Sequence, residues 1–207
     1  MLRPSWRIRY VGKGAYFQMN NIEFHPLTLD RWADFERLFG PRGACAGCWC
    51  MYWKLPRKEF NAGQGESNRL AQKAIVASGR TPGLLAYVDS VPAGWCALEP
   101  REVYPSLVRS RILAPVDETP VWSVTCFFVG RRYRHQGLTV ALLRAAVEYV
   151  ASQGGKVVEG YPVDTKEEKK VPPAFIYHGT ASAFRQAGFV EVARRSETRP
   201  IMRHSIK

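Results

Sequence analysis

The chain has 207 residues, 46% hydrophobic and 23% charged, which is ordinary globular composition and enough for one sizeable core. Nowhere do about 18 apolar residues run together, and the basic start is not followed by the apolar run of a secretory signal, so a soluble cytoplasmic protein is expected. The net charge of +12 admits a nucleic acid, a membrane surface or a phosphorylated small molecule as partner, and charge alone does not choose among them. Cationic side chains are scattered with no long basic block, which argues against a nucleic-acid tail. The five cysteines are an odd number, three of them crowded at Cys45, Cys48 and Cys50, a pattern better suited to a reducing compartment than to a disulfide framework.

In chain order, residues 1–20 are basic, carry no acidic side chain and show no period, so they are read as an extension with no assigned element. Met19 is an alternative natural start, and a single domain is expected over residues 21–207. Residues 21–27 read as a strand. Asp30 then caps a helix whose apolar face is Trp32, Phe35, Leu38 and Phe39, closed by Gly40 and Pro41. A polar loop at 61–65 leads to a second helix over 66–78, with Leu70, Ala74, Ile75 and Ala77 at helical spacing. Residues 84–88 and 94–98 flank Asp89-Ser90-Val91-Pro92 as a hairpin. A short helix is expected between the prolines of 100–120. A charged, exposed loop is expected at 165–170, then a helix over 180–187 and strands at 189–193 and 199–204.

The centre of the chain is its most informative stretch. Residues 121–129 are β-branched and aromatic, as a buried strand requires. Gly137 opens a helix carrying Val140, Leu143, Val147 and Val150 on one face, stopped by Gly154 and Gly155, and residues 156–161 form the next strand. This β-α-β unit makes the two strands parallel neighbours in an otherwise antiparallel sheet. The basic turn between strand and helix leaves the first helical N–H groups unpaired, which makes an anion site.

Two motifs carry a resemblance. Arg134-His135-Gln136-Gly137-Leu138-Thr139 follows the central strand and opens the helix, and GTASAFRQAGF, residues 179–189, ends a late helix in Ala-Gly-Phe. With the order of elements they resemble the GNAT superfamily of acetyl-CoA-dependent N-acetyltransferases over about residues 21–206. The resemblance implies an α/β fold: a mixed, mostly antiparallel central sheet flanked by helices, with one parallel β-α-β unit at its centre. It implies acetyl-CoA as acyl donor, its pyrophosphate wrapped by backbone N–H groups of Arg134, His135, Gln136, Gly137, Leu138 and Thr139. Main-chain groups near Phe128 and Val129 would hold the pantetheine arm and the thioester carbonyl. Arg131 and Arg132 are placed for outer phosphates or for solvent. Two positions depart from the family: Thr139 stands where Gly or Ala is usual, and Phe184 stands where many members place the Tyr that protonates the CoA thiolate.

An amine must be neutral to attack, so a Glu or His near the strand ends usually takes its proton. Glu99, at the end of the strand before the central one, and His178 are the candidate catalytic residues, with Asp164 a further option. Tyr177, His178 and Ser182 are alternatives for the missing acid. No Cys, Ser or Thr is visibly partnered with a base, which favours direct attack in a ternary complex. Cys45-x-x-Cys48-x-Cys50 has no second ligand pair to close a zinc site, so no metal is expected and packing of small apolar thiols is favoured over a redox pair. Trp49, Tyr52 and Trp53 are candidate walls of the acceptor pocket. The expected partners are acetyl-CoA and an amine acceptor, with no nucleic acid and no membrane; the oligomeric state stays open, a homodimer among the options. A non-catalytic acyl-CoA sensor of the same fold is the alternative.

Overall fold

The computed structural model describes residues 8–10, 21–164 and 177–207. Eight strands form one sheet: β1 (Ile8–Tyr10), β2 (Ile22–Pro26), β3 (Gly83–Val88), β4 (Val91–Pro100), β5 (Trp122–Val129), β6 (Val157–Gly160), β7 (Val190–Arg194) and β8 (Pro200–Ser205). Their order is β1-β2-β3-β4-β5-β6-β8-β7, and among the described residues the only parallel pair of strands is β5 with β6. The helices are α1 (Trp32–Phe39), α2 (Arg57–Ala62), α3 (Glu66–Ala77), α4 (Pro105–Val108), α5 (Leu138–Ser152) and α6 (Ala181–Gln186). The mixed, mostly antiparallel sheet with one central β-α-β unit is as expected. No helix among the described residues is long and apolar enough to cross a membrane.

Alternation along the strands sorts side chains between the two faces of the sheet. Leu84, Ala86, Cys96, Leu98, Val124 and Phe127 pack under α5, which buries nine of its residues. Each fully buried Leu or Val there contributes roughly 1.5–3 kcal/mol. Gly94 allows the close approach, since a Cβ at that position would lie 3.0 Å from Leu138 Cδ2 and 3.2 Å from Leu142 Cδ1. On the opposite face Leu85, Trp95 and Ala97 meet Trp32, Phe35 and Phe39 of α1. A separate cluster of Tyr104, Leu107, Leu113, Tyr161 and Ile201 covers the β6–β8 end.

Four local expectations are corrected. Residues 8–10, expected to carry no element, pair antiparallel with β2, Ile8 opposite Phe24; residues 1–7 and 11–20 lie outside the described residues, as does the charged loop at 165–170. Asp30 does not cap α1: Leu29–Arg31 is a 3-10 turn and the Asp30 carboxylate takes a hydrogen bond from Arg31. Residues 57–62, with no assigned element, form α2 after Pro56. Helix α3 turns Asn68, Gln72 and Val76 inward and leaves Leu70 51% exposed, because it docks partly through polar bonds: the Asn68 amide donates to the carbonyls of Gly47 and Phe60, both at 3.3 Å.

The feature that places the site is a divergence at the centre of the sheet. Strands β5 and β6 are paired from Trp122↔Val158 to Val124↔Gly160 and no further. Beyond this point the chain after β6 turns to Val163, which bridges in parallel with Thr180. Between the separating segments lie Tyr177, His178 and Gly179, held at one side by the Phe127 N–H donating to the Tyr177 carbonyl at 2.5 Å and at the other by the Val163 N–H donating to the Gly179 carbonyl at 3.0 Å. Opposite β4 the register slips between Ala97↔Cys126 and Leu98↔Val124, so Thr125 is a bulged residue just past the point where β5 and β6 part.

Candidate functional site

The first part of the site is built from backbone. After β5, Arg131–Tyr133 makes a single 3-10 turn, His135 takes a left-handed conformation at φ 60°, and Gly137 caps α5 at φ 83°. A side chain at position 137 would be strained in that region, so glycine lets the turn feed directly into the helix. The first helical bond runs from the Ala141 N–H to the Gly137 carbonyl at 3.1 Å. The N–H groups of Leu138, Thr139 and Val140 therefore have no acceptor within the helix. The loop is braced from within: Arg134 Nε donates to the Val129 carbonyl at 3.0 Å, and Gln136 Nε2 donates to the Arg132 carbonyl at 2.7 Å. Arg131, Arg132, Arg134 and His135 are exposed, and among the described residues none of the three arginines pairs with a carboxylate. Unpaired donors at a positive helix end, ringed by free cations, suit a phosphate anion.

The wedge supplies the second part. Because the Gly130 N–H bonds the Ala93 carbonyl, alternation turns the main-chain groups of Phe128 toward β4 and those of Phe127 and Val129 toward the wedge. Phe128 packs its ring on Phe39, 5.2 Å between centroids. Of the two positions expected to offer main-chain contacts, Val129 therefore faces the open side and Phe128 does not.

On the far side of the wedge four rings meet: Tyr52 and Trp53 at 5.1 Å, Tyr52 and Tyr177 at 6.2 Å, Trp53 and His178 at 5.6 Å, and Tyr177 and His178 at 3.9 Å between centroids. Trp49 does not join them. It is buried against Phe39, 5.6 Å away and nearly parallel, within the α1 core. The left-handed residues Trp49 (φ 44°) and Cys50 (φ 60°) turn the chain between Trp49 and Tyr52, sending the two rings to different places. Among the described residues the buried His178 has no partner for its Nδ1, and the buried Trp53 Nε1 nearby has none either. Burial, then the charge of Arg199, holds His178 well below the usual imidazole range, while contact with the Thr125 backbone opposes the shift.

Glu99 ends β4 in a different setting. It is buried, with Oε2 accepting from Lys54 Nζ and Oε1 accepting from Arg80 NH2 at 2.6 Å and Nε at 3.2 Å. Burial lowers the Lys54 ammonium from its ordinary value and the Glu99 carboxylate works against that. Both carboxylate oxygens are thus engaged by cations. Asp164 is engaged too, by Arg194 at 2.6 Å and Arg185 at 3.6 Å. Ser182 lies exposed on α6, hydrogen-bonded to Gln186, and Phe184 is fully buried between Phe127 and Phe189.

A second buried ion cluster lies at the base of the wedge, and no motif announced it. Glu159 on β6 accepts from Arg101 NH1 at 3.0 Å, Arg203 Nε at 2.7 Å and the Tyr161 hydroxyl at 2.6 Å, while Tyr161 also contacts Ser123 Oγ at 2.8 Å. Arg101 further donates to the Leu113 carbonyl at 2.5 Å, tying the 101–117 excursion to the sheet. The two arginine partners of Glu159 are 58 and 44 residues away in sequence, so local patterns carry no trace of them.

The cysteine segment packs inward from Cys48 onward. Burial raises the Cys48 thiol to about 11, and Cys50 accepts a hydrogen bond from Trp95 Nε1 at 3.0 Å. Cys45 is exposed. Among the described residues no three His, Cys, Asp or Glu side chains converge as a metal site would require. A surface hollow of about 740 Å³ opens beside Glu36, Arg37, Trp49 and Arg69, but none of its lining residues belongs to β5, β6 or the loop before α5.

No curated protein matches the chain in sequence. Among solved structures, an acetyltransferase of the GNAT family from Listeria monocytogenes superposes with a TM-score of 0.56 at 8% identity, covering 90% of this chain and 95% of that one. An uncharacterized protein from Bacillus halodurans superposes at 0.54 with 14% identity, covering 96% and 90%. At such identities the likeness is one of fold. The model of the acetyltransferase (GNAT) family matches residues 49–165, more than half of the sequence and the segment that runs from before Tyr52 and Trp53 through the α5 loop to just past Val163. The chain belongs to the GNAT acetyltransferase family.

Proposed function

We propose that the protein transfers an acetyl group from acetyl-CoA to an amine by direct attack within a ternary complex. The observation that carries this is the loop before α5: unpaired helical N–H groups at Leu138, Thr139 and Val140, set beside unpaired arginines and opening on the wedge. The pyrophosphate of acetyl-CoA seats on the N–H groups from Arg134 to Thr139, and the pantetheine arm runs into the wedge past the main chain of Val129. The thioester then lies near Thr125 and Phe127, where an amine entering past Tyr52 and Trp53 can reach it.

In the reaction the amine nitrogen bonds to the thioester carbon, the C–S bond breaks, and CoA leaves as its thiolate. Of the two candidate bases, Glu99 has both oxygens engaged, whereas His178 has a buried ring nitrogen without a partner. We assign removal of the amine proton to His178, a neutral imidazole at neutral pH, and leave Glu99 the role of fixing Lys54 and Arg80. No hydroxyl stands at Phe184, and the thiolate, a good leaving group, takes its proton from solvent. The test is thiol release from acetyl-CoA across a panel of amines, with His178→Gln expected to lower kcat about 100-fold or more without weakening acetyl-CoA binding.

The sensor reading keeps one observation in its favour, the Phe127 N–H already bonded to the Tyr177 carbonyl. Acetyl-CoA binding with no thiol release to any amine would establish it.

A further inference from the structure

Among the described residues Arg199 is a cation without a counter-charge. It is partly buried, yet among the described residues it makes no ion pair and no side-chain hydrogen bond. This is unusual beside the other enclosed arginines among the described residues: the buried Arg101 and Arg203 hold Glu159, and the half-buried Arg69 and Arg31 hold Glu36 and Asp30. Partly burying an unpaired guanidinium costs solvation, so its retention calls for an anion that arrives from outside.

The register fixes where that anion would sit. Arg199 immediately precedes β8, and residues two apart on a strand share a face, so Arg199 lies on the side of Ile201. Ile201 packs in the cluster with Tyr104 and Tyr161, against which Trp53 rests. Backbone bonds place the same point beside the wedge: the Asp164 N–H donates to the Thr198 carbonyl at 2.9 Å, and the N–H of the preceding residue, Val163, donates to the Gly179 carbonyl at 3.0 Å. The Asp164 carboxylate itself is taken by Arg194 and Arg185. The charge of Arg199 acts on Tyr52, Tyr177 and His178, the rings on the acceptor side.

We propose that Arg199 receives a carboxylate of the acceptor, so that the amine acetylated is that of an amino acid. The rings of Tyr52, Trp53 and Tyr177 enclose its carbon skeleton while its amine lies toward His178. A guanidinium binds a carboxylate through two parallel hydrogen bonds, which fixes orientation as well as affinity. This inference rests on the acyl-transfer reading above and adds the class of acceptor.

The experiment measures thiol release from acetyl-CoA with each common α-amino acid and, in parallel, with its amide, using wild type, Arg199→Gln and Arg199→Lys. Circular dichroism and acetyl-CoA affinity verify that each variant is folded. For the preferred acceptor, kcat/KM of wild type should favour the free acid over the amide by about tenfold or more. In Arg199→Gln that ratio should fall toward one, and Arg199→Lys should keep part of it. Equal rates for acid and amide in wild type, or a ratio unchanged in Arg199→Gln, would overturn the proposal whatever the variant's stability. Release with simple amines but with no amino acid would overturn it and leave acyl transfer standing. No release with any amine would overturn both.

Discussion

The two sides of the wedge are made of different materials. The α5 loop is a backbone device: its donors are main-chain N–H groups, its basic side chains are exposed, and all its parts lie within residues 130–140. The side proposed for the acceptor is a side-chain device, assembled from Tyr52 and Trp53, Thr125, Tyr177 and His178, and Arg199, and standing on the buried ion clusters of Glu99 and Glu159. A backbone cradle tolerates changes in the side chains around it. A cluster of buried charges does not, because removing one partner strands the others.

That contrast can be broken most sharply at its base. Glu159→Ala should cost about 3–5 kcal/mol in urea unfolding, since it leaves Arg101 buried without its carboxylate and Arg203 with Asp117 alone. A loss below about 1 kcal/mol would show that the cluster is not a structural unit. Next in size, Gly137→Val should destabilise the fold by only about 1–2 kcal/mol through strain at positive φ while weakening acetyl-CoA binding about tenfold or more. Calorimetry and unfolding on the same sample separate the two effects.

A third effect is a pH dependence. The folded pKa of His178 is lowered, so the unfolded state binds its proton first as pH falls. The stability His178 contributes is therefore fully present above about pH 6.5 and declines below it, by at most about 1.4 kcal/mol per pH unit. His25 is lowered in the same direction, so the part due to His178 is read as the difference from His178→Asn, whose melting temperature should fall less between pH 7 and pH 5. Equal acid sensitivity would place His178 in a more open setting. The smallest effect belongs to Arg131→Ala and Arg132→Ala, each expected to weaken acetyl-CoA binding severalfold at low salt and less as salt screens the loop.

The same contrast explains what the sequence disclosed. The β5–loop–α5 unit is local, and local patterns marked it: a β-branched run, a basic turn, Gly137 at the left-handed cap, then helical spacing. The parallel β5–β6 pair followed from the β-α-β crossover, and the β3–β4 hairpin from the Asp89-Ser90 turn, whose residues are both left-handed. The acceptor side was legible only in fragments. Tyr52, Trp53 and His178 stood out as residue types, but Trp49 looked the same as its neighbours and went to the α1 core. Glu99 looked free at a strand end, while Lys54 and Arg80, 45 and 19 residues away, hold it. Leu70 was misassigned because α3 is anchored by Asn68 rather than by an apolar stripe. Arg199 carried no signal at all, since a lone arginine before a strand gains meaning only when the fold shows it unpaired beside the wedge.

The central claim is that the backbone before α5 holds the pyrophosphate of acetyl-CoA. It is tested most directly by calorimetric titration of the protein with acetyl-CoA and with S-acetylpantetheine, which carries the same thioester arm without the pyrophosphate. Acetyl-CoA is expected to bind about 100-fold more tightly or better, as loss of several charge-assisted hydrogen bonds requires. Equal affinities, or no binding of acetyl-CoA, would contradict the claim.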